Sequence, residues 1–320
     1  MIELSSVTKS FANFNAVDNL SFSVAAGEVL GVLGPNGAGK STCMKMISGF
    51  LRPDSGSITL FAKTHTTDPI GIKQMIGYLP EGAPSYGEMT VLDFLQFIAD
   101  IRGIRGKNKK LRVDQVLQQL QLLGVRRQVI DTLSKGFKRR VGLAQAIIHD
   151  PKILILDEPT DGLDPNQKQQ VRELIQNLAC DKIVIISTHL LEEVSAVCSR
   201  AIIIDHGLLV ADGTPAQLRS QSRYCGAITL EFDAELNSMS AVQDVLSQLK
   251  YVTNVEPDRE RVNTITVFAE LNSESKQGRR QDIYPAVSAA IKDNGWVVNE
   301  LHMEQGRLDD VFRRLTGGRL

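Results

Sequence analysis

The chain predicts an α/β fold with a parallel core sheet, and three observations predict it. Gly34-Pro35-Asn36-Gly37-Ala38-Gly39-Lys40-Ser41 fits the spacing G-x-x-x-x-G-K-[ST], with an apolar run at 29–33 before it and a helical pattern at 40–48 after it. Ile153-Leu154-Ile155-Leu156-Asp157-Glu158 is an apolar strand that ends in two carboxylates, at the sheet edge where α/β proteins bind ligands. Around it, strand 153–156, the helix-spaced Val171, Leu174, Ile175 and Leu178, strand 183–186, a helical 190–197 and strand 201–204 alternate in the order of a parallel sheet.

The elements follow in order. Residues 1–62 alternate short strand-like runs at 2–7, 20–24, 29–33 and 57–61 with Gly and Pro-Asp turns, which predicts a β-rich layer around the phosphate loop. From about 87 to 150 the period becomes helical, with Val113, Val116, Leu117, Leu120 and Leu123 on one face, so a helical insertion is expected there. The polar stretch 213–226 reads as a linker, giving a first domain over 1–215, a linker over 216–226 and a C-terminal α+β domain over 227–320. In that last domain the order is strand 228–232, helix 241–250, strands 252–255 and 264–269, helix 284–292, strand 296–300 and helix 308–315. That order suggests a split β-α-β sandwich.

Bulk properties bound the classes of function. The 320 residues carry 36 Lys plus Arg against 37 Asp plus Glu, a formal charge of −1, so nothing global points to nucleic acid as a partner. Cys43, Cys180, Cys198 and Cys225 are scattered without C-x-x-C spacing, which argues against a zinc site or a disulfide framework and fits a reducing cytoplasm. No apolar run approaches the roughly 20 residues that span a bilayer, and Met1 leads straight into a strand-like segment without a signal peptide.

The motifs carry a definite chemistry. Glycines let successive N–H groups turn around phosphate oxygens, a helix N-terminus adds its positive dipole end, Lys40 reaches the terminal phosphates and the Ser41 hydroxyl suits Mg²⁺. Asp157 suits the same metal, and Glu158 is placed to activate water as a general base. A nucleoside triphosphate is the expected ligand.

Together with further motifs, these residues resemble the ATP-binding subunit of an ABC transporter over roughly residues 2–215. Leu133-Ser134-Lys135-Gly136-Phe137 resembles the family signature Leu-Ser-Gly-Gly-Gln. Gly162-Leu163-Asp164 resembles the loop that crosses to a second subunit, and His189 the switch histidine. The resemblance implies the P-loop NTPase fold of ABC ATPases with MgATP as cofactor. It also implies a nucleotide site formed by Phe11, which stacks on adenine, with Ala16, Gly34, Pro35, Asn36, Gly37, Ala38, Gly39, Lys40, Ser41 and Thr42. Glu158, His189 and Lys40 are the implied catalytic residues. Ser134, Gly136 and Asp164 would face ATP bound to the other subunit, and Ser41, Asp157 and Glu81 would face the metal.

Two departures stand out: Lys135 and Phe137 within the signature, and Glu81, in Gly77-Tyr78-Leu79-Pro80-Glu81, at the family's glutamine position. The basic run Lys135, Lys138, Arg139 and Arg140 reads as a solvated helix start. The segment 79–84 and the appended domain look most like type-two exporters, including gliding-motility-like subunits. The resemblance then implies a motor subunit, paired with a second copy of itself, that drives a separate membrane permease from the inner face of the membrane. Permease docking is expected near 82–90, with Tyr86 and Met89 as contacts. A soluble, non-transport ABC-type ATPase is the alternative. The C-terminal domain shows no chemical motif; Trp296 and the helix Leu308-Asp309-Asp310-Val311-Phe312 read as packing residues.

Overall fold

The chain opens on a hairpin whose alternation of apolar and polar residues is first interrupted at Ser6. Strands β1 (Ile2–Phe11) and β2 (Phe14–Val24) pair antiparallel. Ile2 and Leu4 point to the core, then Ser6 takes a positive φ of 50°, the register slips, and Val7 resumes the buried face. Strand β3 (Val29–Leu33) leads through the phosphate loop into helix α1 (Lys40–Ile47). Strands β4 (Ser55–Leu60) and β5 (Lys63–Thr64) complete an antiparallel sheet in the order β2-β1-β4-β5.

Helix α2 (Pro69–Met75) precedes strand β6 (Ile76–Leu79), and the expected helical insertion follows as α3 (Val91–Ile101), α4 (Gly106–Gln119) and α5 (Lys135–Ile147). The α/β alternation then runs β7 (Ile153–Asp157), α6 (Pro165–Ala179), β8 (Ile183–Ser187), α7 (Leu191–Val197), β9 (Arg200–Asp205) and β10 (Leu208–Gly213). These strands form a second sheet in the order β10-β9-β3-β8-β7-β6. It is parallel throughout except for the antiparallel edge strand β10. Every residue of β3, β7 and β8 is buried, as a sheet covered on both faces requires.

The computed structural model describes residues 1–82, 86–233, 238–258, 261–270 and 280–317. They divide into two units, Met1–Thr214 and Pro215–Gly318. In the first, one hydrophobic core joins Ile2, Leu4, Val17 and Leu60 of the antiparallel sheet to Met44 and Ile47 of α1 and to Val32, Ile155 and Ile185 of the parallel sheet.

The second unit begins with a helix where a linker was expected. Helix α8 (Pro215–Ser220) starts on a proline, buries Leu218 and is followed by a turn. In that turn the Ser222 hydroxyl and the Arg223 N–H both donate to the Asp310 carboxylate at 2.8 Å. The polar composition of 213–226 conceals a segment held in place by buried Leu218, by Tyr224 packed edge-on against Phe268 at 5.2 Å and by these bonds.

Beyond it come β11 (Ile228–Phe232), α9 (Met239–Ser247), β12 (Val252–Pro257), β13 (Thr264–Ala269), α10 (Tyr284–Asp293), β14 (Val298–Met303) and α11 (Leu308–Leu315). The sheet order β12-β13-β11-β14, antiparallel at each pairing, is the split β-α-β arrangement read from the sequence. Trp296 packs edge-on against Phe232 with ring centroids 5.9 Å apart, and α11 buries Leu308, Val311 and Phe312.

Candidate nucleotide site

Parallel pairing gathers the site. Val32 lies opposite Ser187, Asp157 opposite Ser187 and Leu79 opposite Leu156, so the carboxyl ends of β3, β8, β7 and β6 share one sheet edge. The phosphate loop, Asp157–Glu158, Ser187–His189 and Pro80–Glu81 therefore converge, as the rule for open α/β sheets predicts.

The loop is shaped for close backbone approach. Gly39 caps α1 at φ +106°, and a Cβ there would lie 2.2 Å from the Ala16 carbonyl oxygen, so both conformation and space demand glycine. No side chain caps this helix, which leaves its first N–H groups to an anion. Pro35 is half-buried, Asn36 and Gly37 are exposed, and Gly34 and Ala38 are buried in the turn; Ser41 and Thr42 are half-buried.

Lys40 is only 7% exposed, and its ammonium donates to the carbonyls of Gly34 (2.8 Å) and Pro35 (3.1 Å). Burial lowers its pKa, while the carboxylates of Glu158, Asp157 and Glu81 work in the opposite direction. It is a cation held ready beside the loop.

Asp157 is 3% exposed and accepts a hydrogen bond from the Ser187 hydroxyl through Oδ1. Glu158 occupies the left-handed region at φ 51°, at a cost of about 1–2 kcal/mol, and its N–H donates to the Ser187 carbonyl (3.1 Å) and hydroxyl (3.2 Å). The turn directs the Glu158 carboxylate to His189, with Oε2 2.8 Å from Nδ1. Burial raises the Glu158 pKa; His189 and Lys40 oppose that rise. A carboxyl pushed upward in this way is suited to take a proton from water near neutral pH. The His189 end is braced by the Thr188 hydroxyl, which donates to buried Glu193 at 2.8 Å and accepts from the Leu190 N–H at 3.0 Å.

The signature residues lie elsewhere. Ser134 is exposed and caps α5, accepting from the Phe137 N–H at 3.4 Å, while Asp164 caps α6, accepting from the Gln167 N–H at 2.9 Å. Gly136 is buried against the Gln167 side chain. Among the described residues no hydrogen bond or ion pair joins Ser134, Gly136 or Asp164 to the phosphate loop. Phe11 is 48% exposed at the hairpin end beside Phe14, with the Lys9 ammonium 5.7 Å from its ring centroid, and Ala16 packs on the loop at Gly39. The Glu81 side chain is exposed, and its charge reaches Lys40, Tyr78 and Arg139.

One expectation is overturned. Arg139 does not belong to a solvated helix start: it is 6% exposed and donates to main-chain carbonyls around the site. The helical phase carried the signal, since Gly136, Arg139, Leu143 and Ala146 share the buried face of α5. Ser187 was also missed, although it stands two residues before His189 at the end of an apolar strand.

A family model described as ABC transporter matches residues 17–161. The linearmycin resistance ATP-binding protein LnrL of Bacillus subtilis (strain 168) is 30% identical over 319 residues, covering 99% of this chain and 98% of LnrL. This chain belongs to the ABC transporter family. The protein named "Probable multidrug ABC transporter ATP-binding protein YbhF" of Escherichia coli (strain K12) is 35% identical over 69% of this chain, which spans only 38% of YbhF. A solved structure titled "Structure of ATP binding subunit of ABC transporter" superposes with a TM-score of 0.64 at 27% identity, covering 69% of this chain and 92% of that one. The ABC ATPase fold read from the sequence is thus the fold found.

Proposed function

We propose that the chain is the motor subunit of an ABC exporter, in which two copies enclose two ATP molecules and hydrolysis drives a separate membrane permease. The single observation that carries this is the convergence of Lys40, Asp157, Glu158 and His189 at one sheet edge, with Ser134 and Gly136 displaced from it. A half-site with its signature residues elsewhere is completed by a second copy facing the first.

In the proposed site, α1 and the loop N–H groups bind the phosphates, Phe11 stacks on the base, and Lys40 leaves the Gly34 carbonyl for the terminal phosphates. The donor set fits Mg²⁺: among the described residues the Ser41 hydroxyl makes no hydrogen bond, and Asp157 offers a buried carboxylate, so two protein ligands supplemented by phosphate oxygens would hold it. Bound there, the ion would neutralise phosphate charge. Glu81 supplies a further carboxylate at the same edge; Glu81→Gln keeps an oxygen ligand and should retain turnover that Glu81→Ala loses. Glu158 takes the proton of the attacking water, and His189 holds that carboxylate in line.

Transport is favoured by an apolar groove of about 690 Å³ lined by Phe50, Leu51, Ile76, Tyr78, Ile98 and Ile101, with Phe50 72% and Ile101 64% exposed. No helix among the described residues is long and apolar enough to cross a membrane. A helix of a separate permease laid in this groove would place the subunit on the inner membrane face. Tyr86, 60% exposed, precedes α3 and packs edge-on against Phe97 of that helix at 5.5 Å, the helix that also carries Ile98 and Ile101; part of the expected docking segment, 83–85, lies outside the described residues. Export is supported by the name of the Nod factor export ATP-binding protein I of Rhizobium sp. (strain N33), and transport by that of the bacitracin transport ATP-binding protein BcrA of Bacillus licheniformis.

The test is ATP turnover by the full chain and by Lys40→Ala. The proposal expects measurable hydrolysis lost in the variant with its fold retained; unchanged turnover would overturn it.

A further inference from the structure

The guanidinium of Arg139 has five N–H donors, and all five are committed to main-chain carbonyls. Nη1 donates to Pro80 (3.2 Å) and Glu81 (2.7 Å), Nε to Pro159 (3.2 Å), and Nη2 to Asp157 and Glu158. No carboxylate forms an ion pair with it among the described residues. The carbonyls come from two segments that are separate in sequence, the end of β6 and the end of β7, while the side chain itself comes from a third element, α5.

A buried cation is costly unless its donors are satisfied, and here backbone oxygens satisfy them. Here each bond fixes a peptide plane. The Asp157 and Glu158 carbonyls flank the residue held at φ 51°, so the orientation of that turn, and with it the direction of the Glu158 carboxylate, depends on the fork. Pro80, at the other end, lines the apolar groove. One planar group thus spans groove wall and catalytic peptide. The negative charges of Asp161, Asp157, Glu158 and Glu81 around it offset the cost of burying the cation.

We propose that Arg139 is a positioning residue for ATP hydrolysis: it fixes the Glu158 peptide to the Pro80–Glu81 segment, so that a partner seated in the groove sets the position of the base. The proposal rests on the reading of Glu158 as that base. Lysine keeps the charge but has three donors and no planar fork, and glutamine keeps two donors without charge. Neither can hold both segments.

The experiment measures kcat and KM for ATP on the full chain carrying R139K or R139Q, with thermal melts of each and ATP-induced dimerisation in an E158Q background. A displacement of the base by about 1 Å is enough to lower kcat by tenfold or more. The expected result is such a loss in both variants, with KM within about threefold of wild type, as uniform binding untouched by the change requires, and the ATP-induced dimer retained. Wild-type kcat in R139K would overturn the proposal. So would loss of melting temperature, ATP affinity and dimer together with kcat, because that pattern marks a residue of the fold alone. E158Q separates the two readings: full turnover in E158Q refutes Glu158 as base, whereas a dead E158Q beside a fully active R139K refutes only the role of Arg139.

Discussion

His189 Nδ1 lies 2.8 Å from Glu158 Oε2, and the pair closes the gap between the ends of β8 and β7. Glu158 is held from behind by its own N–H on Ser187 and in front by an imidazole whose side chain is half exposed. The contact with His189 fixes the direction of the Glu158 carboxylate.

Removing that support should slow the chemistry more than the binding. His189→Ala is expected to lower kcat by roughly a hundredfold, with Glu158→Gln lower still, because general-base help is worth 10²–10⁴-fold. Steady-state kinetics over a range of ATP concentrations checks this; a rise in KM with kcat preserved would point to a nucleotide contact instead.

The acid limb of turnover should lie above the ordinary carboxylate range. Burial raises the Glu158 pKa and His189 opposes that rise. As pH falls the base is protonated earlier than an exposed glutamate would be. In His189→Ala the opposing influence is gone, so the limb of residual activity should move to still higher pH. A limb that stays in place, or moves to lower pH, would contradict this electrostatic account.

Much of this was legible in the sequence because the motifs sit where elements change type. Lys40 follows a five-residue apolar strand and opens a helix, and Asp157–Glu158 ends another strand, so their convergence follows from parallel pairing alone. The gaps have physical causes. Strand β6 is four residues long and contains Gly77, whose lack of a side chain lets α5 approach: a Cβ there would lie 2.1 Å from the Ala146 carbonyl oxygen. Helix α8 is hidden in a polar run with one buried leucine. Arg139 was invisible by charge, standing between two other basic residues, and only its phase on α5 sets it apart from Lys138 and Arg140.

A second titration concerns stability. His149 is pushed down to about 4 from 6.5, chiefly by burial and then by Arg102, and its Nε2 sits 3.0 Å from the Ile76 carbonyl oxygen. Because the folded value lies below the unfolded one, this contribution is fully present above pH 6.5 and is lost as pH falls towards 4. The whole span is on the order of 3 kcal/mol. Denaturant midpoints at pH 7 and pH 5 should therefore separate more in wild type than in His149→Gln. Equal separation would remove His149 as a source of acid sensitivity.

The apolar groove offers a test of coupling that leaves the chemistry alone. Phe50→Asp and Ile101→Asp place charge on two exposed side chains of its wall, beyond the C-terminal end of α1 and at the end of α3. ATP turnover of the isolated subunit should stay within about twofold of wild type, since exposed substitutions away from special features cost within about 0.5 kcal/mol. Copurification with a membrane permease should be lost. Retained copurification would place the permease elsewhere.

The most direct measurement is the mass of Glu158→Gln with and without MgATP, by size-exclusion chromatography with light scattering. The amide keeps the shape of the side chain and its contact to His189 but cannot take a proton, so bound ATP should persist. If the phosphate loop of one copy is completed by Ser134 and Gly136 of another, ATP converts monomer to a stable dimer of twice the 35.2 kDa chain, and removing ATP reverses it. A variant that binds ATP yet stays monomeric at every concentration would contradict the two-copy site.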